Sequence, residues 1–385
     1  MNVGRSPADH GQRSGVIVTA AVIGTGMIGR LHVQSLRRAG GQLAGVGAGS
    51  PDSARRAAAE LGVSRVYGSP EEVAADPDVD VVHVCSPNDS HLAYAAAALK
   101  AGKHVVCEKP LGTDLQQATD LAGLAERTGL VATVPFVYRF YPTVREARHR
   151  VASGALGDVR LVHGSYLQDW LSGASDWNWR VSATTGGRSR AFADIGSHWC
   201  DLAEFLTGDR IVSLHALLDS WHDRPGPAPA DLQPTEDTAV LAFRTERGAS
   251  GSVVVSQVSP GRKNRLWIEL DGTTGSAVFD QENPETLWLG GRGSTTVLHR
   301  GEPASPPAEA VNRLPPGHPQ GFADSFALFV EHTYAAIGGA APDGLPTFAD
   351  GLRSATLVDA VLRSAATGAP VSVPLPVTLA GAVPA

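Results

Sequence analysis

The sequence predicts an α/β protein that opens on a parallel sheet. Two observations carry this: short Val/Ile-rich runs alternate with segments of helical spacing from residue 16 to residue 140, and the turn after the first run is glycine-rich. A third is the row of strand-like runs after residue 158, which predicts a second unit of different build.

Each early element has a local reason. Residues 16–23 form an apolar run that stops at Gly24, and Ile28, Leu31 and Leu36 give residues 28–39 the spacing of a helix. Residues 43–46 form the next strand. Ser50-Pro51 opens a helix, with Ser as N-cap and Pro in the first position. Ser69-Pro70-Glu71-Glu72 repeats the device, and Glu72 completes a capping box. Strands at 79–85 and 104–107 flank an Ala-rich helix at 90–101. A helix at 113–128 carries Thr113 and Gln116 as its capping box, and a strand follows at 130–137. Such alternation means βαβ units and a parallel sheet covered on both faces.

Composition narrows the function classes. The chain has 385 residues, 43% hydrophobic and 18% charged, enough apolar material for two or three domains with real cores. Its net charge of -7 speaks against a phosphate grip, so no nucleic-acid partner is expected. No apolar run approaches the roughly 18 residues that span a bilayer, so no membrane partner is expected either. Residues 1–15 are polar and lack the pattern of a secretion signal; they read as a disordered leader. Cys85, Cys107 and Cys200 are odd in number and widely spaced, which fits buried free thiols and a cytoplasmic location rather than disulfides.

The turn Gly24-Thr25-Gly26-Met27-Ile28-Gly29 is a GxGxxG that follows a strand and opens a helix, the context a dinucleotide site requires. Gly24 permits the tight turn, Gly26 lets backbone approach a pyrophosphate, and Gly29 lets the helix pack on the strand. The second strand of such a unit normally ends in an acid for the ribose 2′-hydroxyl of NAD. Here Val46-Gly47-Ala48-Gly49-Ser50 has none, and Asp52 lies beyond Pro51. Ala48, Ser50 and Arg55 therefore border the expected ribose site and lean the cofactor toward NADP. In the competing reading Arg55 and Arg56 are solvated, and backbone holds the ribose of NAD.

Further motifs narrow the family. Cys85-Ser86-Pro87-Asn88-Asp89-Ser90-His91 follows the fourth strand, and Glu108-Lys109-Pro110-Leu111 the fifth. Later stands Asp194-Ile195-Gly196-Ser197-His198-Trp199-Cys200-Asp201. The ordered set GxGxxG, PNxxH, EKP and DIGxHxxD resembles the Gfo/Idh/MocA oxidoreductases (glucose–fructose oxidoreductase, inositol dehydrogenase, MocA) over residues 16–373. The resemblance implies a Rossmann domain at 16–140, then an α+β domain at 141–373 on a large, mostly antiparallel sheet for substrate binding and oligomerisation, and a tail at 374–385. The second half agrees on its own terms. Strands are expected at 158–165, 211–217, 238–243, 250–257, 266–270 and 276–279, and helices at 321–337 and 347–366. The resemblance also implies that these helices return to pack on the first domain. Two Pro-rich loops, 224–234 and 301–319, are either lids, subunit contacts or inert surface.

Lys109 stands just past a parallel strand, where open α/β sheets present ligands. Its ammonium can favour a substrate alkoxide, with Glu108 holding it. Asp194, His198 and Asp201 are spaced i, i+4, i+7, one face of a helix. The resemblance assigns acid/base and substrate roles to Lys109, Asp194 and His198. Asp201 either orients His198 or pairs elsewhere. No second ligand motif accompanies Asp194 and His198, so no metal is expected. The resemblance places Ser86, Pro87, Asn88, Glu108, Lys109, Trp179 and Arg180 with Met27 and Ile28 at the cofactor; His91 is either a contact there or a helix-start residue. Tyr138 and Trp177 are expected at the substrate, with Trp170 and Trp199 as further candidates to stack on a sugar. Val137 stands where the family usually has Asn before the Tyr138-Arg139-Phe140 segment, which weakens inference there. His32 and His83 read as structural.

The implied activity is NAD(P)-dependent oxidation of a secondary hydroxyl of a sugar, sugar derivative or cyclic polyol to a ketone, with reversible hydride transfer, in a homodimer or homotetramer. Two other readings stand beside it: a glycosidase that retains NAD and works by oxidation and elimination, and a non-catalytic regulator that senses the dinucleotide.

Overall fold

The computed structural model describes residues 17–224, 235–301 and 304–375, so the expectations for residues 1–15, for most of loop 224–234 and for most of the tail lie outside the described residues. The first sheet holds β1 (Thr19–Ile23), β2 (Gln42–Gly47), β3 (Arg65–Tyr67), β4 (Val81–Val84), β5 (His104–Cys107) and β6 (Ala132–Thr133). All are parallel, in the order β3-β2-β1-β4-β5-β6. Parallel neighbours need a crossover. The helices α1 (Met27–Arg38), α2 (Pro51–Leu61), α3 (Pro70–Ala75), α4 (His91–Lys100) and α5 (Leu115–Thr128) supply it. The order reverses between β1 and β4, so the carboxyl ends of these strands open a crevice, the place where such sheets bind ligands.

Capping follows the sequence with two differences. Ser50 accepts from the Ser53 N–H as expected. Ser69 caps through the Glu72 N–H, but the Glu72 carboxylate reaches one residue further back, to the Gly68 N–H at 2.6 Å. The fifth helix is capped by Asp114 rather than Thr113. Asp114 has extended backbone, and its carboxylate accepts from the Gln117 N–H at 2.9 Å. The strand expected at 130–137 shortens to β6, because Val137–Phe140 closes into a buried 3₁₀ turn.

The second sheet is mostly antiparallel, with β7 and β10 as its parallel pair. Its strands are β7 (Val159–Leu167), β8 (Ile211–Asp219), β9 (Thr238–Thr245), β10 (Ser250–Ser256), β11 (Arg265–Gly272), β12 (Gly275–Asp280), β13 (Thr286–Gly291), β14 (Thr295–His299) and β15 (Val371–Ser372), in the order β14-β13-β12-β11-β7-β10-β9-β8-β15. The last three strands were not foreseen. β14 is largely exposed and β15 has two residues, so neither shows an apolar alternation. Helix α6 (Pro142–Ala152) was also missed, because the face it buries carries Thr143, Arg145 and Glu146 rather than an apolar stripe.

The remaining helices are α7 (Ala183–Gly186), α8 (Ser197–Thr207), α9 (Pro306–Glu309), α10 (Phe322–Ile337) and α11 (Phe348–Thr367). The Thr347–Asp350 capping box of α11 forms as expected. α10 buries Phe326, Phe329 and Val330 in one core with Val33 and Leu36 of α1, and α11 packs on α5 and β8. These helices thus return to the first domain, and α10 closes a cavity with Phe322 and Phe326. The Pro-rich loop near 310 is tied down by the Arg300 guanidinium, which donates to the Leu314 and His318 carbonyls at 2.7 and 2.6 Å. Among the described residues, no helix is long and apolar enough to cross a membrane.

Candidate active site

A cavity of about 810 Å³ lies between the sheets, a size suited to a small ligand. One wall carries Lys109, which leaves the end of β5, and Asp194, which sits in a π-helical turn, Phe192–Gly196, directly ahead of α8. Turns of that kind are frequent at functional sites. The Lys109 ammonium donates to Asp194 Oδ1 and to the Asp194 carbonyl, each at 2.7 Å. Asp194 Oδ2 accepts from Gln257 Nε2 at 2.7 Å, and Arg180 Nε stands 3.4 Å from Oδ1. Burial pushes the Asp194 carboxyl up, but the Lys109 and Arg180 charges outweigh it and hold the group well below the usual carboxylate range.

His198 is the second residue of α8 and shares this wall. Its ring packs edge-on against Phe136 and Tyr138, and Nδ1 has no hydrogen-bond partner among the described residues. Burial, helped by the nearby Lys109 charge, pushes it down to about 3. It is therefore a neutral base at neutral pH. Asp201 does not orient it. Its carboxylate takes a two-bond grip from Arg139, which also binds Asp350 at 2.8 Å. Glu108 does not hold the Lys109 ammonium either; its carboxylate accepts the Lys109 backbone N–H at 3.2 Å.

Part of the lining was invisible to motif reading. Tyr166, Gln168 and Asn264 line the cavity with Tyr138 and Trp170. Asn264 Oδ1 accepts from the Tyr166 hydroxyl and from Gln168 Nε2, both at 2.8 Å, and Trp170 Nε1 donates to Gln168 Oε1 at 2.7 Å. The available signal was the period-two spacing of Tyr166 and Gln168 along β7, which puts both on one face. Periodicity does not say whether that face meets core or cavity. Of the tryptophans, Trp199 is fully buried and donates to the Trp267 carbonyl, so it is core. Trp177 is half exposed and does not line the cavity. Trp179 lies beneath the Arg180 guanidinium, 4.3 Å from ring centre to carbon.

The glycine turn shows what it can hold. Gly24 has φ +94°, and a Cβ there would lie 2.3 Å from the Cys85 carbonyl oxygen; one on Gly29 would lie 1.8 Å from that of Gly24. The chain itself demands both glycines. A Cβ on Gly26 would meet nothing within 4 Å, so its bare backbone borders open space at the start of α1. No side chain caps that helix and its first turn has no acid, which leaves N–H donors and the positive end of the dipole for a pyrophosphate. These features fit a dinucleotide. Met27 and Ile28 line the cavity beside them.

The other expected cofactor residues fall in two groups. Ser86 and Pro87 follow β4 at the crevice, and Asn88 Nδ2 donates to the Gly186 carbonyl at 2.8 Å. Of the two alternatives for His91, the structure bears out the helix start: it is the first residue of α4 and fully buried, with its two nitrogens 2.9 Å from the Pro110 and Ser86 carbonyl oxygens, so it braces two crevice loops. Ala48 follows β2, the Ser50 hydroxyl is engaged as a helix cap, and the exposed Arg55 pairs with Asp52.

Residues 18–136 match the family model described as oxidoreductase family, NAD-binding Rossmann fold, and residues 144–278 match the GFO/IDH/MocA C-terminal domain. The chain belongs to the Gfo/Idh/MocA family of oxidoreductases. It is 31% identical to a levoglucosan dehydrogenase of Pseudarthrobacter phenanthrenivorans over 350 residues, 84% of this chain and 88% of that one. It is 30% identical to inositol 2-dehydrogenase 2 of Saccharopolyspora erythraea, over 91% of this chain and 95% of that one. Among solved structures, levoglucosan dehydrogenase in complex with NADH and L-sorbose superposes with a TM-score of 0.85 at 29% identity, covering 93% of this chain and 99% of that one. The family's Rossmann half supplies the glycine turn and Lys109, and its C-terminal half supplies Asp194, His198 and the wall of Tyr166, Gln168 and Asn264.

Proposed function

We propose that the chain is a dehydrogenase that oxidises a secondary hydroxyl of a sugar, sugar derivative or cyclic polyol to a ketone, reversibly, with residues 16–140 as its cofactor half and 141–373 as its substrate half. The observation that carries this reading is the Lys109 ammonium, clamped on Asp194 in one cavity with a neutral His198. The Gly24–Gly29 turn and the Ser86–Asn88 loop would hold the dinucleotide, with Glu108, Trp179 and Arg180 beside it. The bound nicotinamide supplies the two-electron acceptor. Lys109 donates a hydrogen bond to the substrate oxygen and stabilises its developing negative charge. Asp194 fixes the ammonium. His198 takes the hydroxyl proton, as a neutral imidazole can. Tyr166, Gln168 and Asn264 present donors and acceptors that suit several hydroxyl groups at once.

The absence of an acid at Ala48, with Ser50 and Arg55 nearby, supports a lean to NADP over NAD. Three free cysteines support a cytoplasmic location. Leu217, Val240 and Val254 are exposed in one row across neighbouring strands, which supports a homodimer or homotetramer through that sheet face. A panel of sugars and cyclitols, each offered NAD or NADP and followed at the reduced-nicotinamide absorbance, tests the activity. No reduction with any of them, in either direction, would count against it.

A further inference from the structure

His32 of α1 and His83 of β4 are fully buried, and neither lines the cavity. With Tyr334 of α10 they make an unbroken string of hydrogen bonds to the site. The Tyr334 hydroxyl lies 2.9 Å from His83 Nε2, His83 Nδ1 lies 2.8 Å from His32 Nδ1, and His32 Nε2 lies 3.2 Å from Glu108 Oε1.

The carboxylate end sets the direction of the string. An ionised Glu108 only accepts, so His32 Nε2 carries the hydrogen, and in a neutral ring His32 Nδ1 then accepts. His83 Nδ1 then donates, and its Nε2 accepts from the Tyr334 hydroxyl. Every nitrogen is satisfied with both rings neutral, which is what a buried polar network needs. Burial, with His32 beside it, holds His83 well below its ordinary value. Burial also pushes the Glu108 carboxyl up, but the His32 bond and the Lys109 charge bring it below its ordinary value. Glu108 borders the cavity, and its other oxygen accepts the Lys109 N–H.

We propose that Tyr334, His83 and His32 are positioning residues for Glu108: they fix its charge beside Lys109 at the cavity wall and tie the docking of α10 to the site. The proposal rests on the dehydrogenase reading above. The groups that face Glu108 are Lys109 from its own segment, His32 from α1, His198 from α8, and the thiols of Cys85 and Cys107 at the ends of β4 and β5. Without the His32 donor, burial prevails and Glu108 takes up a proton at higher pH.

The full chain is compared with His32→Phe, His32→Gln and Tyr334→Phe, each checked for folding by its melting temperature. His32→Phe is expected to lower kcat about tenfold, the size of one hydrogen bond to a charged group, and to move the acidic limb of kcat/KM to higher pH with KM within about twofold. His32→Gln keeps a donor and is expected to restore most of both. Tyr334→Phe is nearly isosteric and is expected to fall between. A folded His32→Phe with an unchanged acidic limb overturns the proposal, as does a loss of kcat in His32→Phe that His32→Gln repeats in full. Should His32→Phe not fold, an unchanged kcat and acidic limb in Tyr334→Phe overturns it. A second measurement needs no substrate: side-chain ¹⁵N spectra of the unmutated chain at pH 8 are expected to show His32 as the Nε2–H tautomer and His83 as the Nδ1–H tautomer. Two like tautomers overturn the proposal. Expected tautomers in a chain that reduces no cofactor support the string and fault the dehydrogenase reading alone.

Discussion

Lys109 and Asp194 stand 85 residues apart in sequence, yet the ammonium donates at 2.7 Å to both the carboxylate and the backbone carbonyl of Asp194. A carbonyl belongs to the main chain, so no rotation of the Asp194 side chain releases Lys109 completely. The π-helical turn that carries this carbonyl is thereby part of the geometry that aims the ammonium.

Replacing Lys109 with Ala is expected to lower kcat by about 10²–10⁴-fold, the usual contribution of a general acid or base, with dinucleotide affinity changed little. Steady-state rates and a fluorescence titration with reduced cofactor separate the two effects. Turnover near that of the unmutated chain would remove Lys109 from the chemistry.

His198 gives a pH dependence whose sign follows from its burial. Its pKa in the folded chain is about 3, against 6.5 unperturbed. The unfolded chain therefore binds the proton first as the pH falls. The neutral ring's contribution to stability is complete above about 6.5 and is lost progressively on acidification toward 3. His198→Asn is expected to flatten the fall in melting temperature between pH 6.5 and 4 and to lower kcat. An unperturbed imidazole would titrate near 6.5, and the burial of His198 moves any acidic limb it sets below that. Melting curves of equal slope for both proteins would mean that His198 is not held neutral by the fold.

Ala48 stands just past β2, where an acid would meet a ribose. Ala48→Asp is expected to weaken NADP use by repelling the 2′-phosphate, and to keep or improve NAD use, since discrimination often rests on what a site rejects. The ratio of kcat/KM for the two cofactors, before and after substitution, decides this. An unmutated chain that ignores NADP, or a variant with the same ratio, leaves the lean to NADP without support.

Arg139 is buried between Asp201 and Asp350 and lies over the Phe205 ring. Arg139→Met leaves two carboxylates without their partner. Breaking a buried pair from one side costs about 3–5 kcal/mol, so the urea midpoint should drop accordingly. A midpoint that stays in place would show that water or a rearranged side chain compensates.

Features that depend only on near neighbours in the chain were legible without the fold. The β1–α1 turn, the Ser50 cap and the Thr347–Asp350 box each need only residues within a few positions, and each formed where the residues called for it. The motif residues Lys109, Asp194 and His198 were legible as a set because they recur in order in a resembling family. Tertiary structure decided who meets whom. Asp201 was open between His198 and another partner until the Val137–Phe140 turn brought Arg139 to it. Trp199 and Trp170 were equal candidates for a sugar until one went into the core and the other onto the cavity rim. The wall of Tyr166, Gln168 and Asn264, and the string from Tyr334 to Glu108, join residues 51 to 251 positions apart. Periodicity and capping act over one or two helical turns, whereas these partners are chosen by how two sheets and a returning helix pack.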